Sequence, residues 1–343
     1  MNTETMDSDI LYCFAALNDS CTKTSRAVTT KTLLYTVFTL SILLTVLGNL
    51  SIIISISHFK QLHSPTNFLL LSLATDDLLV GIIVMPFSMI RSVESCWYFG
   101  DDFCILLNCF DMSLTTASIY HLIFIAVDRY YAICKPLLYP VKITNHVALL
   151  FALISWVAPL AYAFSFLYVK SGFDDRIATK KCSGNCTVLL NPPWATVDCV
   201  ISLIFPCTLM VSMYVKVFQA ARKHAQVICT DHKVTGHRNK MNQNKGGKAL
   251  RTLAIVMSMF VLCWFPAFGD YILESHIHFY SPPELYNILM WLGYFNSAMN
   301  PIIYAFFFRW FQKALKLVLQ CKICTADSSL YNLFQQSSEE EYA

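Results

Sequence analysis

Charged residues are scarce in this chain. Only 14% of its 343 residues are Asp, Glu, Lys or Arg, whereas 56% are hydrophobic and the mean hydropathy is +0.50. A soluble domain of ordinary composition carries about a quarter charged residues. The composition therefore excludes a soluble globular protein and predicts a polytopic membrane protein. The net charge of +3 is too small to indicate a nucleic-acid partner.

Features that would indicate other functions are also missing. No internal repeat relates the two halves of the chain, which weighs against transporters built from inverted repeats. The hydrophobic runs contain no HxxxH or CxxC pair and no nucleophile–base pair, so we predict that the protein is not an enzyme and has no metal centre. His121 is best explained as a hydrogen-bonded packing residue. A retinal-binding light sensor would need a lysine in the last run, which has none.

No secretory signal precedes the first hydrophobic run, so we expect that run to target the chain itself. Seven hydrophobic runs are each long enough to cross a bilayer of about 30 Å. They predict an all-α membrane protein, a seven-transmembrane helix bundle. The runs cover residues 32–57, 66–91, 104–134, 145–168, 194–220, 249–275 and 283–307.

Lys and Arg residues in the connections set the orientation. The 221–251 connection holds eight of them against a single acid, Asp231, so it is expected in the cytoplasm. Residues 1–31 are then an extracellular tail and 32–307 the bundle. The Asn18 glycosylation sequon lies in that tail, where it is either used or a chance occurrence.

The segment after the last run is amphipathic. Residues 308–320 have apolar side chains at helical spacing, with Arg309, Lys313 and Lys316 between them, which predicts a short eighth helix on the inner leaflet. Residues 321–343 are then a cytoplasmic tail. Cys321 and Cys324 are either palmitoylated or free thiols.

The third run carries polar residues at fixed depths. Asp111 lies seven residues after Cys104, about 10 Å deeper along a helix, and Asp128-Arg129-Tyr130 closes the run at the other face. An ionisable residue inside a membrane helix is costly, so Asp111 is a functional-site candidate.

Further polar residues lie in the middle of the runs. They either bind a small cation such as sodium or form a neutral network that fixes helix packing. The members are Asp77, Asn49, Ser118, Asn296, Ser297 and Asn300. Prolines at 86, 159, 206, 266 and 301 are expected to kink their helices.

Several motifs together resemble the rhodopsin-like G-protein-coupled receptors. They are LATDD in the second run, DRY in the third, CWFP in the sixth and NPIIY in the seventh, with Trp156 and a WYFG sequence before Cys104. The resemblance implies a plasma-membrane receptor with a heterotrimeric G protein as partner. It assigns activation or G-protein coupling to Asp128, Arg129, Tyr130, Tyr214, Trp264, Asn300, Pro301 and Tyr304.

Within that class, the acid seven residues after the third-run cysteine is typical of aminergic receptors. The stretch NSAMNPIIYAFFFRWF is similar to the fingerprint NSxxNPxxYxxxYxWF of the trace amine-associated receptors, with Phe308 where that family usually has Tyr, as in a divergent member. The resemblance implies a small cationic amine ligand, an olfactory role and a stimulatory G protein. Asp111, Thr115, Trp264, Phe268, Asp270 and Tyr294 are the expected ligand-binding residues.

The same family resemblance implies two extracellular disulfides. Cys104 is expected to bond to Cys186, and Cys21 to Cys182, although Cys13 competes with Cys21 for the second bond. These bonds would tie the second extracellular loop and the tail over the binding pocket.

Asp198, eight residues before Pro206 in the fifth run, is the most informative residue for ligand class. An acid there resembles family members tuned to diamines and polyamines. Two carboxylates about 8 Å apart repel by roughly 2 kcal/mol, which a dication would remove. Alternatively, Asp198 contacts water or a loop lysine (Lys180, Lys181), and the ligand is a conventional monoamine such as serotonin or histamine.

The cytoplasmic start of the sixth run lacks the acid that latches Arg129 in some receptors, and Gly246 and Gly247 stand there instead. We therefore expect a loosely latched resting state with ligand-free signalling.

Overall fold

The described residues form seven long helices, a short helix after the last of them, and a few single helical turns in the connections and the C-terminal tail. The computed structural model describes residues 11–168, 182–186, 192–231, 240–277, 281–325, 328–331 and 333. The helices are α1 (Val28–His58), α2 (Pro65–Glu94), α3 (Asp101–Cys134), α4 (Asn145–Phe166), α5 (Pro192–Ala220, continuing helically to Asp231), α6 (Lys240–Ile277), α7 (Pro283–Phe307) and α8 (Arg309–Leu319).

Six of these helices are long and apolar enough to cross a membrane by length and composition, namely α1 to α6. The 25-residue α7 matches the seventh run in its bounds but carries more polar side chains, including Asn296, Ser297 and Asn300. The helices begin earlier than the hydrophobic runs at α1 (Val28) and α3 (Asp101), because polar residues extend a helix beyond the bilayer.

The side chains are distributed as in a membrane protein. Apolar rows such as Leu40, Leu43 and Leu47 of α1 are exposed at the surface that faces lipid, whereas Thr45 and Asn49 of the same helix are fully buried. Lipid tails are as apolar as leucine, so helices associate through small and polar residues instead. This inside-out pattern places the polar residues of the sequence in the bundle interior.

α3 lies at the centre of the bundle and packs against α2, α4, α5 and α6. Its position explains why its buried face carries polar residues along its length, from Ser113 to Asp128.

A π-helical turn lies just before two of the prolines that were expected to kink their helices. A π-helical turn at Val80–Val84 comes before Pro86 in α2, and another at Val200–Ile204 comes before Pro206 in α5. A proline removes a backbone hydrogen bond, and π turns of this kind are frequent at functional sites. The second π turn follows directly after Asp198.

A glycine allows a close contact between α1 and α7. A β-carbon at Gly48 would lie 2.7 Å from Cγ of Pro301, so α1 approaches α7 at the NPIIY motif. A real side chain would not fit at that distance, and the glycine therefore fixes the α1–α7 spacing.

The extracellular tail is fastened by disulfides. Cys104–Cys186 and Cys21–Cys182 form as predicted. The expectation that Cys13 competes for Cys182 is wrong, because Cys13 is bonded to Cys96. Cys96 lies between the second and third hydrophobic runs: α2 ends at Glu94, which leaves Cys96 in the short loop before α3, within reach of the tail.

Ion pairs add to the tail's attachment. The carboxylate of Glu94 accepts from Lys31 Nζ at 2.8 Å and pairs with Lys23 Nζ at 3.1 Å. The Tyr98 hydroxyl and the Glu94 carboxylate hydrogen-bond to the Lys23 ammonium and raise its pKa above the usual value. The tail thus lies across the extracellular end of the bundle.

α8 is amphipathic as predicted, with Phe311 and Ala314 buried against the bundle. The described part of the tail beyond it folds back on the cytoplasmic end. Leu333 is buried there, and His58 contacts Ser328 at 2.9 Å. Cys321 is exposed as a free thiol.

Candidate functional site

A cavity of about 600 Å³ opens at the extracellular end of the bundle. Its walls come from α2, α3, α5, α6 and α7, and its roof from Cys21–Cys182 and the loop segment ending at Cys186. Among the predicted ligand-binding residues, those lining it are Asp111, Thr115, Asp198, Trp264, Phe268 and Asp270. A cavity of this size, with convergent polar groups, is the expected form of a small-molecule site.

Asp111 lies on the α3 wall. Its Oδ2 accepts a 2.6 Å hydrogen bond from the hydroxyl of Tyr294 on α7. No salt bridge to Asp111 forms in the part of the chain that the structure describes. The carboxylate is therefore oriented by one neutral donor and keeps its negative charge available to a ligand cation.

Tyr294 has a different position from the one predicted. It is fully buried and lies behind Asp111, and it is not among the described residues that line the cavity. Its ring meets Trp264 and Trp291 edge to face, with ring centroids 6.2 and 5.7 Å apart. Tyr294, expected among the ligand-binding residues, thus lies outside the described lining, and its hydroxyl orients Asp111.

Asp198 lies on the α5 wall and is 8% exposed. Its Oδ1 accepts hydrogen bonds from the Tyr162 hydroxyl at 3.1 Å and from Ser202 Oγ at 2.9 Å. The two donors hold the carboxylate in the cavity wall without neutralising it. The alternative partners Lys180 and Lys181 lie outside the described residues.

Asp270 and Glu274 of α6 also line the cavity. Asp270 is buried and accepts a hydrogen bond from Ser281. Phe268, one turn after Trp264, packs edge to face on its indole with centroids 6.3 Å apart. Four acids and a set of aromatic rings thus surround one space, which favours cationic ligands.

Sequence reasoning missed Arg91, which also lines this cavity. Its Nη1 donates to the carbonyl oxygen of Cys186 at 3.0 Å, and its guanidinium lies over the Tyr286 ring at 5.9 Å. The signal in the sequence was an arginine in the last turn of an apolar helix.

The buried polar residues in the middle of the bundle contact two different acids, Asp76 and Asp77. Asp77 Oδ2 accepts from Asn300 Nδ2 at 2.7 Å, as predicted. Ser118, which was assigned to the network of Asp77, donates instead to Asp76 Oδ2 at 2.6 Å. Successive residues of a helix point about 100° apart, so Asp76 faces α3 while Asp77 faces α7. Asn296 is buried, as expected for the network.

His121 is a packing residue, as predicted. Its Nε2 contacts Ser72 Oγ at 2.7 Å, and Nδ1 donates to the Ala117 carbonyl at 2.8 Å. Ser72 also accepts from Trp156 Nε1 at 2.9 Å. These hydrogen bonds join α2, α3 and α4.

At the cytoplasmic end, Arg129 is held by its neighbour in sequence. Its Nε donates to Asp128 Oδ2 at 2.8 Å, and Nη2 donates to Thr66 on α2. Asp128, fully buried, also accepts from Thr66 Oγ1 at 2.8 Å and from the Tyr139 hydroxyl at 3.0 Å. The described contacts that hold Arg129 and its partner Asp128 therefore come from α3, α2 and the loop before α4.

The other predicted coupling residues surround this end of the bundle. Tyr130 lines a second cavity of about 290 Å³ between α3 and α5. Tyr304 is buried and packs on Phe308, and Tyr214 is stacked on Phe218. Pro301 is buried against Gly48. Gly246 and Gly247 lie within α6.

This bundle, with a cavity lined by four acids at one end and an Arg-containing motif at the other, has the arrangement of a transmembrane receptor. Residues 48–304 match the family described as 7 transmembrane receptor (rhodopsin family). The chain is 46% identical over 332 residues to trace amine-associated receptor 4 of Mus musculus, covering 95% of this chain and 96% of the relative.

Two further relatives agree. Trace amine-associated receptor 13c of Danio rerio is 44% identical, with 94% of this chain and 96% of the relative covered. Trace amine-associated receptor 2 of Mus musculus is 43% identical, with 94% and 95% covered. The chain belongs to the trace amine-associated receptor family of G-protein-coupled receptors. It is a multi-pass plasma-membrane amine receptor and not an enzyme.

Proposed function

We propose that the ligand is a dication, a diamine or polyamine of the cadaverine, putrescine or spermine type, bound between Asp111 and Asp198. The observation that carries the proposal is the presence of both carboxylates in the wall of one cavity, each held by neutral hydroxyl donors. A monoamine bound to Asp111 would leave Asp198 without a counter-charge in a largely desolvated site, which is costly.

The aromatic residues support the same ligand class. Trp264 and Phe268 line the cavity with the two acids, and the methylene chain of a diamine can pack on their rings. Aromatic faces also attract ammonium groups within about 6 Å of the ring.

The test is a set of concentration–response curves for cAMP in cells with matched surface expression. Breaking a desolvated ion pair costs about 3–5 kcal/mol, a loss of more than 100-fold in affinity. Asp111→Ala should therefore abolish the response to every amine. Asp198→Ala should lower potency for diamines and spare that for monoamines.

Asp198→Asn and Ser202→Ala are the matched controls. The first keeps the shape of the side chain without its charge and should behave like Asp198→Ala, whereas the second keeps the charge and should have a small effect. Equal losses for monoamines and diamines in Asp198→Ala would contradict the proposal and favour the monoamine alternative.

We further propose an olfactory receptor that signals through a stimulatory G protein to cAMP. The family resemblance supports both parts, and it assigns Arg129, Tyr130, Tyr214 and Tyr304 to activation or coupling. Ligand-dependent cAMP accumulation that is lost in cells lacking the stimulatory α subunit would support it. A ligand response without cAMP would contradict it.

A sodium ion as an allosteric ligand is a separate proposal for the Asp77 region. Oδ1 of Asp77 and Oδ1 of Asn49 are buried and have no hydrogen-bond partner within the described residues, which fits an oxygen-ligated cation. Asp77 and Asn49 would hold the ion, and Asn300 donates a hydrogen bond to Asp77, whereas Ser118 donates to Asp76. A sodium titration of agonist potency that is flat in wild type would contradict it, as would equal sodium dependence in wild type and Asp77→Asn.

A further inference from the structure

Arg91 is the one described Lys or Arg side chain in the wall of a cavity that contains four acids. It is 8% exposed. A buried charge is retained only where it is paired and hydrogen-bonded, or where a ligand completes its environment.

The protein satisfies only part of the guanidinium. Nη1 donates to the Cys186 carbonyl at 3.0 Å, and the Tyr286 ring lies at 5.9 Å. Nε is buried and has no hydrogen-bond partner among the described residues. Arginine offers five donors in a planar fork that matches a carboxylate. Because the Arg91 side chain lines the cavity, its guanidinium can donate to an oxygen of a bound ligand.

Arg91 of α2 and Asp111 of α3 line the same cavity, on helices that pack against each other. Asp111 also accepts a hydrogen bond from the hydroxyl of Tyr294. A carboxylate acceptor and a guanidinium donor on neighbouring helices complement an ammonium and a carboxylate on one carbon atom. That combination is the head group of an α-amino acid.

We propose that this cavity binds basic α-amino acids, such as lysine and ornithine, through three charges. The α-ammonium pairs with Asp111, the α-carboxylate with Arg91 and the side-chain ammonium with Asp198. The inference rests on the proposed function, in which Asp111 and Asp198 each bind an ammonium. Arg91 is then the residue that distinguishes carboxylated diamines from plain ones.

Matched ligands test the proposal on the full-length receptor. Lysine and cadaverine differ by one carboxylate, lysinamide keeps both ammonium groups without the negative charge, and norleucine lacks the second ammonium. Wild-type receptor should respond to lysine at lower concentration than to lysinamide or norleucine. A wild-type receptor that responds to cadaverine but not to lysine overturns the inference and leaves the proposed function intact.

Substitution of Arg91 provides a second test of the proposal. Charge-assisted hydrogen bonds of this kind correspond to about a 10- to 100-fold change in affinity. Arg91→Gln should raise the EC50 for lysine by that factor relative to the EC50 for cadaverine, and Arg91→Lys should retain part of the lysine response.

The ratio of the two EC50 values excludes a purely structural explanation. Loss of the Cys186 carbonyl contact would weaken lysine and cadaverine alike, and an unchanged ratio in Arg91→Gln overturns the inference. Arg26→Gln is the matched control, because Arg26 also donates to backbone carbonyls at the extracellular side but does not line the cavity. Failure of wild type with both lysine and cadaverine, together with a response to monoamines, overturns the proposed function as well.

Discussion

Gly293 of α7 lies against the indole of Trp264 in α6. A β-carbon at Gly293 would be 2.8 Å from Cζ3 and 2.9 Å from Cε3 of that ring. The two helices therefore meet at the floor of the ligand cavity with no space for a side chain. The indole, two residues before Pro266, can shift only if α7 shifts with it.

Gly293→Ala should displace Trp264 and change ligand-free signalling, together with a loss of thermal stability of about 1–3 kcal/mol from overpacking. Basal cAMP and the melting temperature of purified receptor measure the two effects. Gly269→Ala in the same helix as Trp264 is the control, because nothing lies within 4 Å of its added β-carbon. Equal behaviour of the two variants would show that the indole is not constrained by α7.

Tyr294→Phe should weaken amine binding without abolishing it. The substitution removes the hydroxyl that orients Asp111, and a single hydrogen bond to a charged group contributes about 1.5–3 kcal/mol. Agonist EC50 should rise by about 10-fold or more, with surface expression unchanged. Ser88→Ala is a milder control, since Ser88 contacts the same hydroxyl at 3.3 Å. An unchanged EC50 in Tyr294→Phe would show that Asp111 needs no orienting donor.

Removal of the Cys13–Cys96 bond should destabilise the extracellular end. Loss of a disulfide that closes a long loop typically costs about 2–5 kcal/mol. Cys13→Ser, Cys96→Ser and the double variant should lower the melting temperature equally, because all three break the same bond. Additive losses would show that the two cysteines are not bonded to each other, and exposed Cys321 is the control site.

The Cys21–Cys182 bond closes the roof of the cavity, so its loss should reduce ligand potency more than loss of Cys13–Cys96 does. Cys21 and Cys182 line the cavity directly, as does Cys96, whereas Cys13 does not. Concentration–response curves for Cys21→Ser and Cys13→Ser at equal surface expression give the comparison. The opposite ranking would assign the roof to the Cys13 bond.

Tyr139→Phe should raise ligand-free cAMP. The Tyr139 hydroxyl donates to Asp128, which in turn holds Arg129 by a 2.8 Å hydrogen bond. With one donor lost, Asp128 has a less fixed orientation and Arg129 is released more readily. Tyr131→Phe is the control in the same region. Basal signalling at the wild-type level in Tyr139→Phe would show that the α3–α2 contacts alone determine the latch.

The sequence by itself determined the seven helices, their orientation and the depth of Asp111 and Arg129. Hydrophobic run length, Lys and Arg placement and helical rise are local properties, so they could be read without the fold. The two predicted disulfides came from family resemblance and were also confirmed.

The tertiary structure decided which side chains meet. Ser118 was assigned to Asp77 but bonds to Asp76, because a rotation of about 100° per residue sends adjacent acids to different helices. Tyr294 lies behind Asp111 rather than in the cavity wall. Cys13 is bonded to Cys96, and Arg91 lines the ligand cavity. Each of these contacts depends on how two separate helices or a helix and the tail pack together, and spacing along one chain segment does not contain that information.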